Sequence, residues 1–325
     1  MLSYKFENGI LNGNQGDPDI LNVLQESSSD RNSIDLYFDA AARVRDGVIF
    51  SNSIDTFIDV HRHDERIQRC GKLAIAKTIL HHENSSYLQI EGSSFRNAVA
   101  LRETWFAKIF KNLCDGIRRD EVYRLFDKIA FVVFNYDRCL EHFLFHAIQR
   151  YFGLNADEAS AIMSKLRIYH PYGSLGDLPW QGADSIPFGF TASRENLKFI
   201  EKRIKTYTEQ VNNHQLAGEV RDLVCSADTL VYLGFSYHPQ NMSLLDPLEY
   251  SSASAVFGTA LGTSDSDVRI IEERIRRLVG HDLTEYRDAP IGITGSERLY
   301  IRNDLTCARL LDEYSRSLFV SGPVS

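Results

Sequence analysis

The run Ile129-Ala130-Phe131-Val132-Val133-Phe134 most constrains what this chain can fold into. It carries no charge and is rich in β-branched and aromatic residues, the make-up of a short strand covered on both faces, as parallel strands are. It is far below the ~20 apolar residues that a membrane helix requires. Directly after it come Asn135-Tyr136-Asp137 and then Leu140, Phe143, Leu144, Ala147, Ile148, Tyr151 and Phe152. Steps of three, four and one mark an amphipathic helix. The segment therefore reads as strand, polar turn, helix.

The same grammar recurs. Short strands are expected at Leu166 to His170, Thr229 to Leu233, Ala255 to Phe257 and Leu299 to Ile301, with helices over 193–211, 215–226, 265–279 and 304–319. A parallel pair needs a crossover, so alternating strands and helices imply an α/β fold: a Rossmann-like parallel sheet with helices on both faces. From about 18 to 127 the apolar residues recur at helical spacing: Leu21 and Leu24, Ile34 and Phe38, Ile67, Cys70 and Ala74, then Trp105, Ile109 and Leu113. Two regions are expected, a mainly helical one over 1–127 and a Rossmann-like core over 128–325.

Composition narrows the function classes. With 325 residues, 43% apolar and 25% charged, the chain is a folding one, long enough for one large domain with an insertion or for two. The net charge of −8 comes without a basic stripe, so electrostatic capture of nucleic acid is not indicated. Met1 to Asn8 lacks a charged segment followed by an apolar run, which is not a secretory signal, and a cytoplasmic location is expected. Cys70, Cys114, Cys139, Cys225 and Cys307 form no Cys-x-x-Cys pair, leaving small core residues as their default role. His61-Arg62-His63-Asp64 and His81-His82 have no partners at metal-ligand spacing and read as solvated helix positions; no metal is expected.

Ligands of parallel sheets sit beyond the carboxyl ends of the strands, so the residues just after each strand carry the functional reading. Asn135 and Asp137 either cap the following helix or face the crevice and bind ribose hydroxyls or a carboxamide. His170 and Tyr172 are either a satisfied hydrogen-bonding pair or catalytic groups, at the head of a shaped loop with two glycines, two prolines and Trp180. Gly234 permits close backbone approach and Ser236 can donate to a phosphate or ribose oxygen, although any strand-to-helix turn favours these residues. After the fourth strand, Gly258 to Gly262 is the part expected to touch a ligand. Ser264 and Asp267 fit a variant of the capping box.

Phe134-Asn135-Tyr136-Asp137, Ile168-Tyr169-His170-Pro171-Tyr172-Gly173-Ser174-Leu175-Gly176 and Leu233-Gly234-Phe235-Ser236, in this order, resemble the sirtuin-like superfamily. More closely, the chain resembles its bacterial zinc-free branch, associated with NAD depletion and antiphage defence, over roughly residues 50 to 303. The resemblance implies that NAD is substrate or ligand. Asn135, with His170 or Tyr172, would serve catalysis, Asp137 with Asn135 would line the nicotinamide and ribose pocket, and Gly173, Ser174, Gly234 and Ser236 would hold the cofactor. The four zinc-binding cysteines usual in sirtuin deacylases have no counterpart here, which argues against protein deacylation.

Two departures bear on activity. The family's opening strand followed by Gly-Ala-Gly-x-Ser, which cradles the phosphates, has no match ahead of the helical region. Where the family writes His-Gly-Ser, this chain writes Tyr172-Gly173-Ser174. An imidazole near pKa ~6.5 accepts a ribose proton at neutral pH, whereas a phenol near ~10 does not. The expectation is an NAD hydrolase, weakened or truncated, releasing nicotinamide and ADP-ribose. The alternative is a non-catalytic sensor or structural subunit for NAD or ADP-ribose, acting with a second copy or a defence partner protein. Both require residues 135, 172 and 236 to converge on one crevice.

Overall fold

The computed structural model describes residues 5–7, 10–12, 16–207, 209, 214–247, 250–279 and 298–319. A small antiparallel hairpin, β1 (Lys5–Glu7) and β2 (Ile10–Asn12), precedes four helices: α1 (Pro18–Glu26), α2 (Arg31–Gly47), α3 (Ile54–Val60) and α4 (Glu65–Ser85). A second hairpin, β3 (Ile90–Glu91) and β4 (Ser94–Phe95), leads to α5 (Ala98–Leu101) and α6 (Trp105–Cys114). Strand β5 (Ala130–Val132), helices α7 (Cys139–Phe152) and α8 (Ala156–Met163), strand β6 (Arg167–Tyr169) and helix α9 (Arg194–Glu201) follow. The remainder runs α10 (His214–Ser226), β7 (Thr229–Tyr232), α11 (Pro239–Leu245), β8 (Ala255–Thr259), α12 (Asp265–Leu278), β9 (Arg298–Arg302), α13 (Cys307–Glu313) and α14 (Ser315–Phe319).

The protein is an α/β fold whose five principal strands are parallel to their hydrogen-bonded neighbours. They form two sheets, β5-β6 and β7-β8-β9. The chain divides into two compact units that interleave in sequence. One comprises Met1–Arg96, Val133–Ser164 and His170–Asn212; the other comprises Asn97–Val132, Lys165–Tyr169 and Asn213–Ser325. The boundary expected at 127/128 thus falls within one stretch of a single unit.

The first unit is helical for reasons visible residue by residue. Helix α1 starts where Asp17 accepts from the amides of Asp19 and Ile20, with Pro18 at its first position. Asp64 caps α4 in the same way, and Asn155 with Glu158 forms a capping box at α8. Helices α2 and α4 pack against one another through stripes that include Ile34, Phe38, Ala41 and Val44 on α2 and Ile67, Cys70, Leu73 and Leu80 on α4, all buried. Each large aliphatic side chain so buried contributes ~1.5–3 kcal/mol. Helix α9 ends sooner than the predicted span 193–211, because the chain turns after Lys202 and the Lys205 amide donates to the Tyr172 carbonyl. Residues 208 and 210–211 of that span lie outside the described residues.

In the second unit, β8 is buried along its whole length. Ala255 and Phe257 pack with Leu305 and Leu310 against α13, whereas Val256, on the other face, lines a small cavity with Ile275 and Val279 of the α12 side. A central parallel strand covered on both faces explains why Ala255 to Thr259 shows no polar alternation. Ser264 caps α12, accepting from the Asp267 amide at 3.2 Å as the capping reading predicts. Among the described residues, no helix is long and apolar enough to cross a membrane.

Candidate functional site

The turn that follows β5 is held in the first unit by a buried ion pair. Arg138, just ahead of α7, and Glu83, near the end of α4, are each 1% exposed. Arg138 donates from Nη2 to Glu83 Oε2 at 2.6 Å and from Nε to Oε1 at 3.2 Å, a two-pronged, charge-assisted arrangement. Its Nη1 also donates to the Ile186 carbonyl at 2.5 Å, and Glu83 Oε2 accepts from the Gly189 amide at 3.0 Å. One pair of opposite charges therefore clamps the turn at 135–138 to the loop that leaves β6.

That clamp presents Asn135 and His170 to each other. His170 Nδ1 lies 3.2 Å from the Asn135 carbonyl oxygen, and Nε2 lies 2.7 Å from Oε1 of Glu141, in the first turn of α7. Both neighbours are acceptors, so the ring satisfies both only as a doubly protonated imidazolium. Burial pushes its pKa down, but the hydrogen bond and charge of Glu141, with the Asn135 carbonyl and Asp137, more than offset this and the net shift is upward. Oε2 of Glu141 is buried and has no hydrogen-bond partner. The Asn135 side chain is exposed.

The other sequence-predicted residues of this unit are tied into the structure. Asp137 accepts from the Cys139 amide at 3.1 Å, the helix-start role of the capping alternative. Tyr172 is buried against Phe134 and Tyr136, and burial, with Asp55 nearby, raises its phenol well above the ordinary value. His170 and Tyr172 do not share a strand face, since β6 ends at Tyr169. Gly173 has φ +79°, and a Cβ there would lie 1.9 Å from the Arg203 carbonyl oxygen, so only glycine fits. Ser174 Oγ accepts from the Gly176 amide at 3.3 Å.

Gly234, Ser236 and Gly258 belong to the second unit. Gly234, with φ +60°, donates its amide to Thr259 Oγ1 at 2.9 Å, which joins the end of β7 to the end of β8. Ser236 is exposed. Gly258 leaves room for the Tyr237 phenol, whose oxygen would be 2.3 Å from a Cβ at that position. Tyr237 is the one non-glycine residue with positive φ (53°) among the described residues, and the hydroxyls of Tyr237 and Tyr232 are buried without partners. Of the predicted site, then, Asn135, Asp137, His170, Tyr172, Gly173 and Ser174 lie in one unit, and Gly234, Ser236 and Gly258 in the other.

Sequence reasoning missed Glu83, Arg138 and Glu141. A signal for the acids was present: Glu141 stands three and seven residues before Leu144 and Ile148, and Glu83 three residues after Leu80, each on an apolar helical stripe. A charge on a buried stripe announces a buried partner. Among the described residues, no group of three or more His, Cys, Asp or Glu is placed to hold a metal ion.

Fold and strand ends together define an α/β protein of parallel strands with polar residues on the turns that follow them. In comparisons with known proteins, no family model, no curated protein and no solved structure matches the chain.

Proposed function

We propose that this chain binds NAD or ADP-ribose at the carboxyl ends of its parallel strands and hydrolyses NAD slowly to nicotinamide and ADP-ribose, as a cytoplasmic protein of the bacterial sirtuin-like defence type. The observation that carries the reading is Asn135. Its amide is exposed on the turn after a parallel strand, where such folds receive ligands, while its own carbonyl is held by His170. His170 fixes the main chain at this point, and from it the exposed side-chain amide orients a water toward the anomeric carbon. The carbon–nitrogen bond breaks with its electron pair leaving on nicotinamide, the water oxygen bonds to that carbon, and its proton passes to solvent.

The reaction is slow in this reading because neither of the two expected bases is poised to accept a proton. Tyr172 is buried and protonated, and both His170 nitrogens already face acceptors. Loss of a general base lowers a rate by ~10²- to 10⁴-fold. The test is nicotinamide release from NAD by the purified chain, with ADP-ribose binding followed by calorimetry. Asn135→Ala should abolish release, and a chain that neither binds nor consumes NAD at millimolar concentration would refute the proposal.

The same two observations favour a second reading, a sensor that binds NAD or ADP-ribose without turnover and signals to a second copy or a defence partner protein. ADP-ribose binding with no nicotinamide release, unchanged in Tyr172→His, would select it.

A further inference from the structure

We propose that Glu141 is a positioning residue: by engaging Nε2 of His170 it keeps the opposite ring nitrogen aimed at the Asn135 carbonyl, and so fixes the turn that presents the Asn135 amide. The kinetic part of this inference rests on the reading given under Proposed function; the structural part does not.

The argument is one of matched donors and acceptors. Glu141 sits on a regular helix, 4% exposed, with Oε1 on His170 at 2.7 Å and Oε2 without a partner. Its hydrogen bonding is thus directed at one ring, from the first turn of α7. The groups facing the ring are Glu141, Asp137 and the Asn135 carbonyl, and Asp137 already accepts from the Cys139 amide. A neutral ring carries one N–H only. Either Glu141 or the Asn135 carbonyl would then meet a nitrogen lone pair, and the carbonyl, on an exposed turn, is the one free to move away. Arg138 clamps the far end of the turn, and the contact with Glu141 keeps the Asn135 carbonyl on the ring.

Two-bond proton–nitrogen NMR spectra of the intact chain report the ring directly. At neutral pH we expect both His170 nitrogens protonated, and in Glu141→Gln, which keeps an acceptor but removes the charge, a titration midpoint lower by about one pH unit or more. Nicotinamide release by Glu141→Gln should fall ~10-fold in kcat with KM little changed, and should recover as the pH is lowered until the ring is charged without help. A neutral His170 ring in the unaltered chain, or a midpoint unmoved by Glu141→Gln, would overturn the inference. If Glu141→Gln does not fold, the spectrum of the unaltered chain still decides, and Glu141→Asp supplies a variant that retains the charge. A doubly protonated ring in a chain that releases no nicotinamide would remove the catalytic reading and leave the positioning role standing. Turnover with a neutral ring would do the reverse.

Discussion

Glu83 and Arg138 pair out of reach of water, 55 positions apart in sequence, each 1% exposed and bonded through both carboxylate oxygens. Taking away one member leaves the other's charge buried and unpaired. Glu83→Ala should therefore lower stability by ~3–5 kcal/mol in urea denaturation. A loss below ~1 kcal/mol would mean that the pair is not formed in solution.

Two glycines with left-handed backbone should respond differently to alanine. At Gly173 the added methyl group would strike the Arg203 carbonyl, whereas at Gly92, φ +62°, nothing lies within 4 Å. Gly92→Ala should lose only the ~1 kcal/mol of the backbone conformation, and Gly173→Ala ~2 kcal/mol or more, because the chain at 203 has to shift. Equal thermal midpoints for the two variants would contradict the close approach.

Tyr237 joins an unfavourable φ to a buried hydroxyl without a partner. Removing that hydroxyl removes a group whose desolvation is uncompensated, so Tyr237→Phe should be neutral or stabilising by up to ~1 kcal/mol. A clear destabilisation, measured by urea unfolding, would reveal a partner for the oxygen.

Acid should weaken the first unit through two histidines. Burial lowers His142 to about 3 and His146 to about 4, so both are neutral in the fold and charged in the unfolded chain below ~6.5. Each contributes stability that is present above ~6.5 and lost as the pH falls toward its folded value, at up to ~1.4 kcal/mol per pH unit. His170, shifted upward, works in the opposite direction: its contribution is complete below ~6.5 and disappears as the pH rises through its folded value. Unfolding midpoints between pH ~6.5 and ~4 should decline, and decline less in His142→Gln, which keeps a donor for the Leu88 carbonyl but cannot titrate.

The strands were legible because burial on both faces leaves a composition signal; β5 to β9 all fall on or within a residue or two of the apolar runs at 129, 166, 229, 255 and 299. Helix α9 was read too long because nothing local ends it: the stop comes from the Tyr172 carbonyl, distant in sequence. The hairpin of β3 and β4 has two residues per strand, too short for any period to register. At the candidate site the turn residues were found from their place after strands, yet the residues that hold them were not. Glu83, Arg138 and Glu141 act across 29 to 106 positions, and only the charge on an apolar stripe hinted at the two acids.

The interleaving of the two units has a bearing on synthesis. The unit that begins at Met1 needs residues up to Asn212 before it can close, and the other opens at Asn97 yet finishes only at the far end of the chain. During translation the first unit becomes complete only after two segments of the other have already emerged, unlike the usual order of successive domains. Helices α1 to α4 can pack on one another as they emerge, but the buried charge of Glu83 waits for Arg138, which is made 55 residues later.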